Sequence, residues 1–188
     1  FLKEGQIGVN IGTGSQIAQI SSNIPDKTKK IDLKPFFGKF INSITHIPAG
    51  RSLNYIEKNV YKKNDFWEKL SEVNFENKES NLDLLNLNIF ENNWRYSKEN
   101  LNRINSAFKK NQNSFSIILD AFCNEYKKAL SLINETKEFD SIVLSGGKLK
   151  ELKFVKTFFS NLEGYRIQFR PSNEIDETLI GLHKLSSI

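Results

Sequence analysis

The stretch Ile7-Gly8-Val9-Asn10-Ile11-Gly12-Thr13-Gly14-Ser15-Gln16-Ile17-Ala18-Gln19-Ile20 holds two period-two segments around a run of small residues. Apolar residues alternate with small or polar ones over 7–11 and again over 16–20, the pattern of half-buried strands. Gly12-Thr13-Gly14-Ser15 has turn composition, so a β-hairpin is expected. The turn has two readings. It closes a plain hairpin, or its successive backbone N–H groups form a nest for an anion. In the second case glycine lets a phosphate come close, and a Thr13 or Ser15 hydroxyl adds a donor or meets a metal-bound water. No Gly-x-x-x-x-Gly-Lys-Ser/Thr loop occurs in the chain. A strand follows this turn where a dinucleotide fingerprint needs a helix, so both of those phosphate motifs are excluded.

The carboxyl-terminal part reads differently. Ser141-Ile142-Val143-Leu144 is an apolar strand, Ser145-Gly146-Gly147 a loop, and a helix is expected from about Leu149 to Ser160. A second unit follows, with a strand over Arg166-Ile167-Gln168-Phe169, a turn at Pro171-Ser172-Asn173 and a helix from Glu174 to Leu185. Strand–helix–strand–helix order implies parallel strands joined by right-handed crossovers. Gly146 and Gly147 then lie at the carboxyl edge of the sheet, where open α/β folds bind ligands. A helix N-terminus beside them adds partial positive charge. The pair is either a structural βα turn or a nucleotide contact.

Between these ends, a third strand is expected within Gly38–Ile47, closed by Pro48-Ala49-Gly50. A helix begins near Arg51, with Leu53, Ile56 and Val60 on one stripe. Phe66-Trp67 and Leu70 suggest a short helix, and Leu85, Leu87 and Ile89 alternate as in a strand. Ser114–Asn134 carries the widest apolar helical face, with Phe115, Ile118, Leu119, Phe122, Tyr126, Leu130 and Ile133. Cys123, beside that face, reads as a small buried hydrophobe. Asp176 and Glu177 complement the dipole of the last helix. An antiparallel start and an α/β tail together indicate an α/β fold: a mixed sheet with helices packed on it.

Leu, Ile, Val and Phe make up 59 of the 188 residues, enough for a core. The length is that of one domain. No apolar run is long enough for a membrane span, and the start lacks the features of a signal peptide. The net charge is +5, but only five of the 27 basic residues are Arg. Bidentate phosphate and base recognition favours Arg, so no nucleic-acid partner is expected. One Cys and two distant His exclude a disulfide framework and a zinc site. There is no Met, and the chain is expected to be a piece of a longer protein. No Ser–His–Asp order and no paired carboxylates stand out.

Taken together, four stretches resemble the carboxyl-terminal half of the FGGY carbohydrate kinases, most closely the sedoheptulokinase-like branch. Val9 to Ile17 is similar to the family's second phosphate motif. Asp32-Leu33-Lys34-Pro35-Phe36 and Ala49-Gly50-Arg51-Ser52-Leu53-Asn54-Tyr55 resemble the segment leading into the first helix of that half. Ser145-Gly146-Gly147 resembles the adenosine motif. Asn173-Glu174 and Glu177-Thr178-Leu179-Ile180-Gly181-Leu182 resemble the closing helix. Phe90 and Arg95 fit a Phe/Arg pattern between them. Gly14-Ser15 reverses the commoner Ser-Gly order, and Glu151 stands where the family often has Asn.

The resemblance implies an actin-like ATPase (ribonuclease H-like) domain over residues 1–188, the nucleotide-binding half of a longer sugar kinase. It implies ATP and Mg²⁺ as cofactors, with Gly12, Thr13, Gly14 and Ser15 at the phosphates. Gly50 and Asn54 would lie near the nucleotide, and Gly146 and Gly147 beside the adenosine. It implies no metal ligand and no catalytic residue in this chain, because the base, an Asp, is expected upstream of Phe1. The sugar, a ketose or polyol, would be bound mainly by the other half. A cytoplasmic location and no membrane partner are expected, and homodimerisation is left open. A non-catalytic nucleotide-binding or protein-interaction module of the same fold is the alternative.

Overall fold

The computed structural model describes residues 2–22, 24, 31–73, 99, 102–106, 114–149 and 151–170. Six strands form one mixed sheet: β1 (Gln6–Ile11), β2 (Ser15–Ser21), β3 (Asp32–Phe36), β4 (Lys39–Ile47), β5 (Ser141–Ser145) and β6 (Arg166–Phe169). Their order across the sheet is β3-β4-β2-β1-β5-β6. The pairs β1–β2, β2–β4 and β3–β4 are antiparallel, whereas β1–β5 and β5–β6 are parallel. The expected change from hairpins to crossovers therefore falls at β1. The helices are α1 (Gly50–Ile56), α2 (Phe66–Glu72), α3 (Ser114–Ile133) and α4 (Lys153–Ser160).

The core follows from the two periodicities. Ile7, Val9 and Ile11 of β1 point to one face and are buried. Ile17 of β2 and Ile142 and Leu144 of β5 share that layer. The 20-residue α3 contributes Ile118, Leu119, Phe122, Tyr126, Leu130 and Ile133 to the same cluster, as its stripe predicts. Phe154, Val155, Phe158 and Phe159 of α4 join it. The Phe122 and Phe154 rings meet edge-on at 5.4 Å, and Tyr126 and Phe159 at 5.8 Å. Each such fully buried ring contributes roughly 2–3 kcal/mol by removal from water. Cys123 is buried, and burial pushes its thiol pKa well up, as befits a packing residue.

Three elements differ from expectation. Asp32–Phe36 is a strand, not merely a lead-in to the first helix. It forms a hairpin with β4 through the two-residue turn Phe37-Gly38, whose φ angles are +45° and +75°. Both residues are left-handed, as a type I′ turn requires, and Phe hides a signal normally written Asn-Gly. Pro35 is tolerated because β3 is the sheet edge, where its missing donor does no harm. The first helix begins at Gly50 and changes at Glu57–Tyr61 into a π-helical turn that Lys62 ends at φ +59°. The extra residue per turn leaves Val60 only half-buried. Finally, the helix expected from Leu149 starts as a 3₁₀ turn at Gly147–Leu149, and α4 begins at Lys153. The strand read at Leu85–Ile89, Phe90, Arg95, the Pro171-Ser172-Asn173 turn and the Glu174–Leu185 helix with Asp176 and Glu177 lie outside the described residues.

Candidate functional site

Because β1 and β5 are parallel neighbours, their carboxyl ends emerge at one edge, with Asn10 opposite Ser145. The Asn10 Nδ2 donates to Ser145 Oγ at 3.1 Å and ties the two ends together. Gly146 then crosses directly over the end of β1. Its φ is +111°, and a Cβ there would lie 2.4 Å from the Ile11 carbonyl oxygen and 2.7 Å from the Ile11 nitrogen. Only glycine fits, on both conformational and steric grounds.

The third glycine turn arrives from β4. Ser15 pairs with Ile47 but Ile17 with Ile44, so β4 holds an extra residue there, and His46 has φ +63°. This bulge re-aims the strand end toward the hairpin. The Gly50 N–H donates to the Gly12 carbonyl at 3.2 Å, and the Arg51 N–H donates to the Thr13 carbonyl at 2.8 Å. Two donors that a helix start leaves without intrahelical partners are thus satisfied by the hairpin turn. The approach is close: a Cβ on Gly50 would lie 2.9 Å from the Gly12 oxygen and 3.1 Å from Lys148 Cε. The three glycine turns, distant in sequence, meet at one point.

Support comes from α3 beneath. The Tyr126 hydroxyl donates to the Pro48 carbonyl at 3.2 Å and lies beside Ser15. Ser15 Oγ in turn donates to the Asn10 carbonyl at 2.7 Å. Burial is the main cause of a strongly raised Tyr126 pKa, so the phenol stays protonated as a donor. Ser15 is buried and its hydroxyl is used in this support, facing away from the turn surface.

At the surface, Thr13, Gly14 and Gly147 are exposed. The Gly12 N–H is taken by the Gly14 carbonyl at 2.9 Å. Among the described residues, the N–H groups of Thr13 and Gly14 and the Thr13 hydroxyl have no partner. The nest therefore offers two adjacent backbone donors and one hydroxyl. Asn54 is half-buried, one helical turn beyond Gly50 on the same side of α1. Two neighbours, Lys148 and Glu57, went unread in the sequence, and Trp67 reads there only as part of a short helix. Lys148 packs its stem over Gly50, holds its Nζ 4.9 Å from the Trp67 ring centroid and forms an ion pair with Glu151. Trp67 Nε1 donates to Glu57 at 3.0 Å. No motif marks these residues; α2 brings Trp67 to the loop only in three dimensions. Among the described residues, no group of three His, Cys, Asp or Glu could hold a metal ion, and no helix is long and apolar enough to cross a membrane.

The six-stranded mixed sheet with its helices is the fold of the actin-like ATPase domains of sugar kinases. The solved structures it resembles include xylulose kinase from Lactobacillus acidophilus, with a TM-score of 0.69 and 16% identity over 97% of this chain. Gluconate kinase from the same organism gives 0.62 and 14% over 89%. Plasmodium falciparum glycerol kinase with ADP gives 0.54 and 13% over 89%. The chain spans 38% of the length of the first of these and 35% of each of the others. No family model matches the chain, and no curated protein matches its sequence.

Proposed function

We propose that this chain is the carboxyl-terminal, ATP-binding half of an ATP-dependent carbohydrate kinase of the FGGY type, sedoheptulokinase-like in pattern. The acceptor is a ketose or related polyol, and the chain alone does not phosphorylate it. One observation carries this reading: three glycine turns converge at the carboxyl edge of a sheet with the fold of sugar-kinase domains. The residues present suit a nucleotide. Thr13 and Gly14 offer unpartnered N–H donors for phosphate oxygens, and the open space around Gly147 leaves room for the nucleoside. Asn54 lies one helical turn beyond Gly50 and is assigned to the nucleotide on the resemblance. Gly12, Gly50, Gly146 and Ser15 hold the frame.

Bound ATP supplies the phosphoryl group. The Thr13–Gly14 amides are fixed donors for negative charge on the phosphates, in place before the ligand arrives. The Thr13 hydroxyl is a donor to a phosphate or to water on Mg²⁺. With no carboxylate cluster among the described residues, Mg²⁺ would be held chiefly by the phosphates. The sugar site and the base that accepts the hydroxyl proton belong to the other half, and closure of the halves excludes water. On this reading the protein works in the cytoplasm, with neither nucleic acid nor membrane as partner.

A coupled assay on the complete protein, with a panel of ketoses and polyols, tests this. Phosphorylation of at least one is expected, and Gly147→Ala should raise the KM for ATP by about 3–10-fold with the sugar KM unchanged. No turnover is expected from this chain alone. Failure of the complete protein on every ketose and polyol would overturn the reading, as would turnover by the isolated chain that Thr13→Ala abolishes.

A further inference from the structure

Lys148 follows Gly146-Gly147 and belongs to no motif, yet it joins that loop to the start of α1. Its stem covers Gly50, with Cε and Cγ 3.1 and 3.3 Å from where a Cβ would stand. Its ammonium is held over the Trp67 ring and paired with Glu151, and the side chain is 22% exposed. Trp67 is itself anchored through Nε1 to Glu57. A cation is thus kept beside Gly50, whose N–H is bonded to the hairpin turn that carries the two unpartnered amides of Thr13 and Gly14.

We propose that Lys148 is a phosphate-contacting residue of the nucleotide site, parked on Trp67 and Glu151 until a nucleoside polyphosphate binds. This rests on the nucleotide reading above. The resting partners suit release. Glu151 is exposed, so its ion pair is weak and screened by solvent. A face-on cation–π contact at a partly exposed ring is similarly modest. A triphosphate carries several negative charges beside fixed amide donors, and it outcompetes one solvated carboxylate. Lys suits this exchange, as a compact charge on a flexible stem that can swing without moving the backbone. Its departure removes the ammonium from the Trp67 ring, so binding leaves an optical signature.

The chain has two tryptophans, and Trp94→Phe leaves Trp67 as the sole reporter. In that background, ATP and adenosine are titrated by calorimetry and by tryptophan emission. ATP should change Trp67 emission, and adenosine should leave it nearly unchanged. Lys148→Met keeps the hydrocarbon over Gly50 and removes the charge. It should weaken ATP about ten-fold, abolish the emission change and leave adenosine affinity within about two-fold. Lys148→Arg should recover most of the ATP affinity. Glu151→Gln, which frees Lys148 without altering it, should tighten ATP about two- to three-fold. Equal ATP affinity in the wild type and Lys148→Met, equal losses for ATP and adenosine, or weaker ATP binding by Glu151→Gln would each overturn the proposal. If the wild-type chain binds neither ligand, the nucleotide reading itself falls, which is a separate result.

Discussion

The hairpin turn at Gly12–Gly14 and the loop at Ser145–Gly147 lie side by side at one sheet edge, yet they use glycine for different reasons. In the loop, Gly146 is demanded by the fold: φ is positive and the Ile11 backbone occupies the space of a Cβ. In the hairpin, neither glycine has positive φ. A Cβ on Gly14 would meet nothing within 4 Å, and one on Gly12 would come no closer than 3.7 Å to its nearest neighbour. Gly147 is as open as Gly14. The glycines therefore sort into two sets. Gly146 and Gly50 let main chains approach each other, while Gly14 and Gly147 leave a surface bare. A bare surface beside unpartnered amides is what an incoming ligand needs.

Substitutions can break this division. Gly146→Ala should have the largest effect, at least about 3 kcal/mol of stability or failure to fold, because it combines left-handed strain with a backbone clash. Urea denaturation measures it. Gly50→Ala should cost about 1–3 kcal/mol, since α1 must retreat from the Gly12 carbonyl by a few tenths of an ångström. Tyr126→Phe should cost about 1 kcal/mol by removing the donor to Pro48. The same change should quicken hydrogen exchange at the Gly50 and Arg51 amides. Gly14→Ala and Gly147→Ala should shift stability by no more than about 0.5 kcal/mol. If Gly14→Ala cost as much as Gly146→Ala, the two turns would not differ in the way described.

The contrast also shows which parts of the site were legible in the sequence. The hairpin, α3 and the β5–β6 unit announce themselves by period, and their glycine turns by composition. β3 did not, because Phe37 fills a left-handed position usually written Asn and Pro35 sits where only an edge strand tolerates it. Ser15 reads as a phosphate donor in sequence, but strand alternation places it on the Ile17 face, toward Tyr126. The difference between Gly146 and Gly147 depends on one φ angle and on where Ile11 lies. Which turn amides remain unpartnered depends on the docking of α1. Those are long-range facts, and no local spacing carries them.

The central claim is that the three turns form one nucleotide site, and an amide-resolved NMR titration of the chain with ATP tests it most directly. The account predicts that the Thr13, Gly14 and Gly147 amides shift together, with one common dissociation constant. The Gly12 and Gly50 amides, already bonded within the chain, should move less. Movement of one turn alone, or of amides remote from this edge while Thr13, Gly14 and Gly147 stay still, would contradict it.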